Sequence, residues 1–253
     1  MHDDAYAPPR DLASKVQRRL TQWTPARPAK LNFDEPMLSV CFDDFPATAV
    51  SNGARILEAH GARGSFYAAA GLAGTDGPCG RNFSAGDLHR LEAAGHEIGC
   101  HTYDHADCAR RDVMTTLHDL ARNRDVLAAM GATRDLRSLA YPYGETTTAL
   151  KQGLPPRFSS ARGVLPGLNV GKVDLAQLRA YPLFDEAGIK RAHAALKRAA
   201  RRNAWLIVFT HDVSDAPSPF GTSTRDLGDF LAAARDLGVV TAPVSAVLAR
   251  ATA

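Results

Sequence analysis

Several features that would settle the class of this chain early are missing from its 253 residues. No run of 18 apolar residues occurs, so nothing in the sequence reads as a membrane-spanning helix. The opening stretch MHDDAYAPPR has no basic region followed by an apolar one. No secretory leader is legible there, and a cytoplasmic protein, peripheral to the inner membrane at most, is the expectation. The net charge is only +3 and no nucleic-acid-binding motif is visible, which removes the usual electrostatic reason to expect such a partner. The four cysteines, Cys41, Cys79, Cys100 and Cys108, form no CxxC pair. That pattern favours free thiols in a reducing compartment and leaves a Cys79–Cys108 bridge open. Neither GxGxxG nor GxxxxGK follows an apolar run, so dinucleotide and P-loop folds lack their signature.

What is present is a globular composition, 45% hydrophobic and 23% charged, in a chain long enough for one large domain or two small ones. From Met37 onward, short runs rich in β-branched and aromatic residues alternate with helical patterns. The expected strands are MLSVCFD, GSFYAA, HEIGC, LRSLAYP, RAYPLF, WLIVFT and GVVTA. Helical patterns separate them in ATAVSNGARILEAHG, SAGDLHRLEAAG, RDVMTTLHDLARNRDVLAAMG, IKRAHAALKRAARRN and STRDLGDFLAAARDLG, several ending in Gly as helix C-termini do. Alternation of this kind predicts an α/β fold with a parallel sheet, as a complete or partial (β/α) barrel. Residues 1–36 read differently. RDLASKVQRRLTQW places Leu12, Val16, Leu20 and Trp23 on one helical face, with Lys15, Arg18 and Arg19 elsewhere, and TPARPAK reads as a Pro-rich linker. The division expected is 1–36 for helix and linker and 37–253 for the main α/β domain. The helix over 10–23 is open to three readings: packed on the barrel, a homodimer contact, or a basic foot on an anionic membrane surface.

Polar clusters sit where these strands end. VCFDDF closes one strand with Asp43 and Asp44, HEIGCH another with His101, LAYPYG a third near Tyr143, and WLIVFTHD a late one with His211. In a barrel all of these fall on one rim, where catalytic loops gather. GHEIGCHTYDH adds His105 four residues after His101, a spacing at which two imidazoles can converge on one ion. Each cluster alone has a plain alternative, a solvated aspartate pair or a hydrogen-bonded strand-end histidine. Together they supply one carboxylate and two imidazoles for Zn²⁺ or a similar ion, a second carboxylate as base, and a distant histidine as acid. His96 and Glu97 read as backbone-holding residues. Cys100 alternates to the face opposite His101.

In motif order the chain resembles the polysaccharide deacetylase family, also called carbohydrate esterase family four or the NodB-homology domain. CFDDF is similar to that family's TFDDG, HTYDH to its H[ST]xxH, AYPYG to its RxPYG, and LIVFTHD to its late strand-histidine motif. The resemblance spans roughly residues 37–244. It implies a distorted (β/α)7 barrel, Asp43 as general base, and Asp44, His101 and His105 as ligands of Zn²⁺, with Co²⁺, Ni²⁺ or Mn²⁺ as alternatives. It also implies the Tyr143 backbone N–H as an oxyanion contact and His211 as general acid. The implied reaction removes acetyl groups from N-acetylhexosamine units of a bacterial exopolysaccharide, such as a holdfast-type adhesin, or of its lipid-linked precursor. Other readings stay open: a deformylase or deacetylase of a small or lipid-bound amino sugar or other amide, and a silent carbohydrate-binding module. Three departures qualify the pattern. Phe45 replaces the glycine after the aspartate pair and is expected to narrow the groove. Ala140 stands where many members have a base-bracing arginine, with Arg162 or Arg179 as replacements from a neighbouring strand. No acidic partner for His211 is evident among Asp174, Asp185 and Asp212.

Overall fold

The structure, a computed structural model, describes residue 9 and residues 11–252. Arg10, the first residue of the expected helical stretch, lies outside them. The chain runs α1 (Leu12–Trp23), β1 (Pro28–Leu31), β2 (Met37–Asp43), α2 (Arg55–Ala59), β3 (Ser65–Ala68), α3 (Ala85–Ala93), β4 (Glu97–Cys100), α4 (Val113–Ala129) and β5 (Ser138–Ala140). It continues with α5 (Thr148–Gly153), β6 (Ser160–Arg162), β7 (Gly171–Asp174), β8 (Tyr181–Pro182), α6 (Glu186–Arg202), β9 (Trp205–Thr210), α7 (Thr224–Asp236), β10 (Val240–Thr241) and α8 (Val244–Ala249).

The main sheet has the order β8–β9–β2–β3–β4–β5–β6, with β10 also beside β2. Every neighbouring pair in it is parallel. A parallel bridge from Arg162 to Leu178 brings the approach to β8 alongside β6, so the sheet curls toward closure as a (β/α)7 barrel. All residues of β2 and β9 are buried, because one face meets helices and the other the barrel interior. Parity separates the faces. Leu38, Val40 and Phe42 join the core under the helices, whereas Met37 and Cys41 join Tyr67, Ala140, Trp205 and Phe209 inside the barrel.

Helix ends follow local chemistry. Ser84 and Asp87 form a reciprocal capping box on α3, and Asp112, Thr147 and Ser223 cap α4, α5 and α7. Gly99 is required by packing, since a Cβ there would meet the Tyr67 ring at 2.5 Å. All four cysteines are free, so Cys79 and Cys108 do not bridge.

Four expectations change. The stretch SAR (160–162) forms β6, a strand too short for periodicity to reveal. The short helices α5 and α8 were hidden for the same reason. TPARPAK is no free linker: Pro28–Leu31 pairs antiparallel with β7, and Asp174 accepts from the Ala26 and Arg27 N–H groups at 3.2 and 2.9 Å. The apolar face of α1 does not pack on the barrel. Thr21, on the opposite face, is the helix's buried residue, and Leu12, Val16, Leu20 and Trp23 are exposed.

Candidate active site

Chemistry-bearing residues leave the sheet at the C-terminal ends of its strands. Asp43 ends β2, His101 follows β4, Tyr143 lies just beyond β5, Arg162 ends β6 and His211 follows β9. Asp43 shares the parity of Cys41 and so points to the barrel interior.

Asp44, His101 and His105 converge, with ligand atoms within 4.8 Å of one another. His105 Nε2 lies 3.2 Å from Asp44 Oδ2, and His101 Nε2 3.6 Å from Asp44 Oδ1. His101 Nδ1 is 2.7 Å from the Ala140 carbonyl. A carbonyl only accepts, so Nδ1 carries the hydrogen and Nε2 presents its lone pair toward Asp44. Burial pushes the pKa of both imidazoles down to about 4, which keeps them neutral near pH 7. Burial also pushes the Asp44 carboxyl up, against the pull of His101 and His211. Asp44 Oδ1 is buried without a hydrogen-bond partner. Such an oxygen beside neutral imidazoles is costly unless a cation satisfies it, and the donor set suits Zn²⁺ or a similar divalent ion.

The backbone around this cluster is strained. Asp44, Thr102, His105 and Tyr143 are four of the six described non-glycine residues with positive φ. Conformations of this kind cost about 1–3 kcal/mol each and persist only where the surroundings enforce them. Part of that enforcement comes from α4. The Asp119 carboxylate accepts from the N–H groups of Tyr103 and Asp104 at 2.6 and 3.2 Å, between the two histidines. One turn on, the Asn123 amide donates to the Ala68 carbonyl and accepts from the Ala70 N–H, fixing the end of β3. These two residues escaped sequence reasoning. Their signal was there: both fall with Thr116, Leu120 and Leu127 on the buried face of α4, where polar residues need a reason.

The arginine missing at Ala140 reappears one strand away. Ala140 and Arg162 are register partners across β5 and β6, so the guanidinium enters at the same height from the adjacent strand. Arg162 is 1% exposed, donates to the Asp43 carboxylate and lies over the Tyr67 ring at 4.6 Å and near Phe209 at 5.3 Å. Burial alone would raise the Asp43 pKa. The Arg162 guanidinium, through its charge and its hydrogen bond, outweighs burial and holds the carboxyl below its ordinary value, with His101 and His211 adding to the effect in their protonated forms. Arg179, the other candidate, is exposed and donates to the Pro166 carbonyl at 3.1 Å, away from Asp43.

Phe45 does not narrow a groove. It is fully buried, stacked on Phe83 at 4.4 Å and edge-on to Phe66 at 5.4 Å, because the residue after Asp44 turns back under the helices. Nor do the three candidate acids reach His211. Asp174 pairs with Lys151, Asp185 caps α6, and Asp212 accepts from the N–H and hydroxyl of Ser218. The ring's Nδ1 instead lies 3.2 Å from the Phe220 carbonyl, which only accepts, so Nδ1 carries a hydrogen. Tyr143 sits in a 3₁₀ turn, its ring 4.8 Å from that of His105. His96 accepts the Gly64 N–H on Nδ1 and donates from Nε2 to the Glu58 carboxylate, and Glu97 accepts from the Ser65 and Ser138 hydroxyls, so both hold structure.

A strand-end rim carrying an aspartate, two histidines, a braced second aspartate and a late histidine is the donor set of a candidate metal site on a (β/α) barrel. The polysaccharide deacetylase family model matches residues 30–154. The chain belongs to the polysaccharide deacetylase family. Among curated proteins no sequence match was found. Solved structures similar to it include a family 4 carbohydrate esterase from Streptomyces lividans in complex with acetate. That match has 15% identity and a TM-score of 0.57, over 88% of this chain and 99% of that one. The Xyl-CE4 domain of a multidomain xylanase from the hindgut metagenome of Trinervitermes trinervoides matches at 14% identity and TM-score 0.62, over 86% and 91%. A CE4 family pseudoenzyme from Bacillus anthracis matches at 14% identity and TM-score 0.56, over 90% and 70%. At these identities the structural likeness establishes the fold.

Proposed function

We propose that this protein is a metal-dependent deacetylase of N-acetylhexosamine residues in a bacterial exopolysaccharide or its lipid-linked precursor. The observation that carries the reading is Asp43, ionised by Arg162 and set beside the Asp44–His101–His105 cluster. A pseudoenzyme has no need to keep a buried charge pair aimed at such a cluster, so the intact set favours catalysis over a silent binding module.

Asp44, His101 and His105 would hold the ion, which when bound would supply Lewis acidity toward a carbonyl and acidify water. Asp43 accepts the proton of the attacking water, and Arg162 keeps its carboxylate ionised and oriented. The backbone N–H of Tyr143, presented by its left-handed turn, donates to the oxyanion of the tetrahedral adduct. His211, held through Nδ1 by the Phe220 carbonyl, returns a proton from Nε2 to the departing amine. Acetate and a free amino sugar are the products. Zn²⁺ is the ion the donor set suits best, with Co²⁺, Ni²⁺ and Mn²⁺ also accommodated.

The test is metal content together with acetate release from N-acetylglucosamine oligomers, with formate release from N-formyl analogues in parallel. Metal uptake with acetate release supports the proposal. Formate release alone would replace it with a deformylase, and stoichiometric metal without either product would remove the substrate assignment.

A further inference from the structure

α1 is attached to the body in an orientation opposite to the one its sequence pattern suggests. At about 100° per residue, Leu12, Val16, Leu20 and Trp23 fall within an arc of about 80°, and Thr21 lies roughly opposite that arc. Thr21 is the buried residue. The polar side is fastened by strong contacts. Arg18 Nε lies 2.6 Å from Glu145 Oε1, and Lys151, fully buried on α5, donates Nζ–H to the carbonyls of Thr21 and Thr24 at 2.6 and 2.9 Å. The fold thus commits a buried lysine to holding the helix with its apolar face outward.

That face is the main exposed apolar surface of the described chain. Of seven large hydrophobic side chains exposed there, four are Leu12, Val16, Leu20 and Trp23, with Leu12 at 78% and Trp23 at 74%. Exposed Lys15 and Arg19 flank the arc on one side, and no acidic residue lies within the helix. A short apolar stripe with cations along its border, ending in an exposed tryptophan, matches the interface of an anionic bilayer in both hydrophobicity and charge. No described helix is long and apolar enough to cross a membrane, so the contact is peripheral. Glu145, the anchor of Arg18, is two residues beyond Tyr143. The helix is therefore tied, through its polar side, to the segment that carries Tyr143.

We infer that α1 is a membrane foot, binding anionic phospholipid with Leu12, Val16, Leu20 and Trp23 in the interface and Lys15 and Arg19 at the headgroups. The contact brings the rim close to the bilayer surface, where a lipid-linked glycan presents its sugars. The lipid binding itself does not depend on the deacetylase reading.

The experiment is flotation of the full chain with vesicles of phosphatidylcholine alone or with phosphatidylglycerol, alongside tryptophan emission. Trp205 is fully buried and the chain has two tryptophans, so a blue shift on vesicle addition reports Trp23. Binding to phosphatidylglycerol vesicles with a blue shift is expected. It should weaken tenfold or more in Leu20→Gln/Trp23→Gln and in Lys15→Gln/Arg19→Gln, both with unchanged melting. The absence of both flotation and a blue shift would overturn the inference. So would a concentration-dependent dimer lost in Leu20→Gln/Trp23→Gln without vesicle binding, since a second copy would then cover the face. Because the readout is lipid binding, a failed deacetylase assay leaves it standing, and the reverse holds too.

Discussion

Replacing Arg162 by Met keeps much of the side chain's length and its contact with Tyr67 while removing the charge that faces Asp43. Both side chains are nearly inaccessible, at 1% and 7% exposure, so solvent cannot take over the role of the guanidinium. Breaking a buried pair by removing one partner costs about 3–5 kcal/mol, because the remaining charge is left uncompensated. For a chain of this size that corresponds to a melting temperature roughly 6–20 °C lower. Removing Asp43 as well, in Asp43→Asn/Arg162→Met, should recover about 2 kcal/mol or more relative to the sum of the single changes. The pH dependence has a definite sign. In the folded protein Asp43 is depressed, so its contribution to stability is present above the unfolded carboxylate value of about 3.9 and is lost as pH falls through the folded value. Without Arg162, burial dominates, the carboxyl rises, and the acid limb of kcat/KM moves to higher pH. The assays are thermal melts of the four proteins of the cycle and a pH–rate profile of Arg162→Met. Additive single changes together with an unmoved acid limb would refute the idea that Arg162 braces the base from the next strand.

Asp119→Ala removes the clamp between His101 and His105 and should weaken metal affinity about 10–100-fold, read by competition with a chromophoric chelator. Metal-free protein should lose thermal stability as pH falls from about 6.5, the unfolded histidine value, through the folded value of about 4 for His101 and His105. His101→Gln should flatten that decline. Phe45→Ala should destabilise by about 3–5 kcal/mol as a core cavity, with KM for oligomers little changed in the folded fraction. His211→Gln should lower kcat while leaving metal content intact.

The rim was readable because its residues sit at the ends of strands whose burial and length make a strong pattern, with β2 and β9 as the clearest cases. Asp43, Asp44, His101 and His105 could thus be grouped before any geometry was known. The brace was harder to place. Arg162 ends a three-residue strand, and only the register of Ala140 with Arg162 distinguishes it from Arg179. The character of Phe45 was misleading because sequence gives size and polarity but not the direction the chain takes after a left-handed residue such as Asp44. α1 illustrates the same limit. Periodicity shows that Leu12, Val16, Leu20 and Trp23 share a face, but the outward orientation depends on Glu145 and Lys151, more than a hundred residues away in the chain. The partner of His211 is a main-chain carbonyl, which has no identity in sequence to search for.

The most direct measurement is acetate release from N-acetylglucosamine oligomers by the purified protein, after chelation and after zinc is restored, with Asp43→Asn in parallel. The account predicts release that disappears on chelation, returns with zinc, and is absent in Asp43→Asn while that variant still binds zinc. Release that survives chelation, or that persists in zinc-loaded Asp43→Asn, would contradict it.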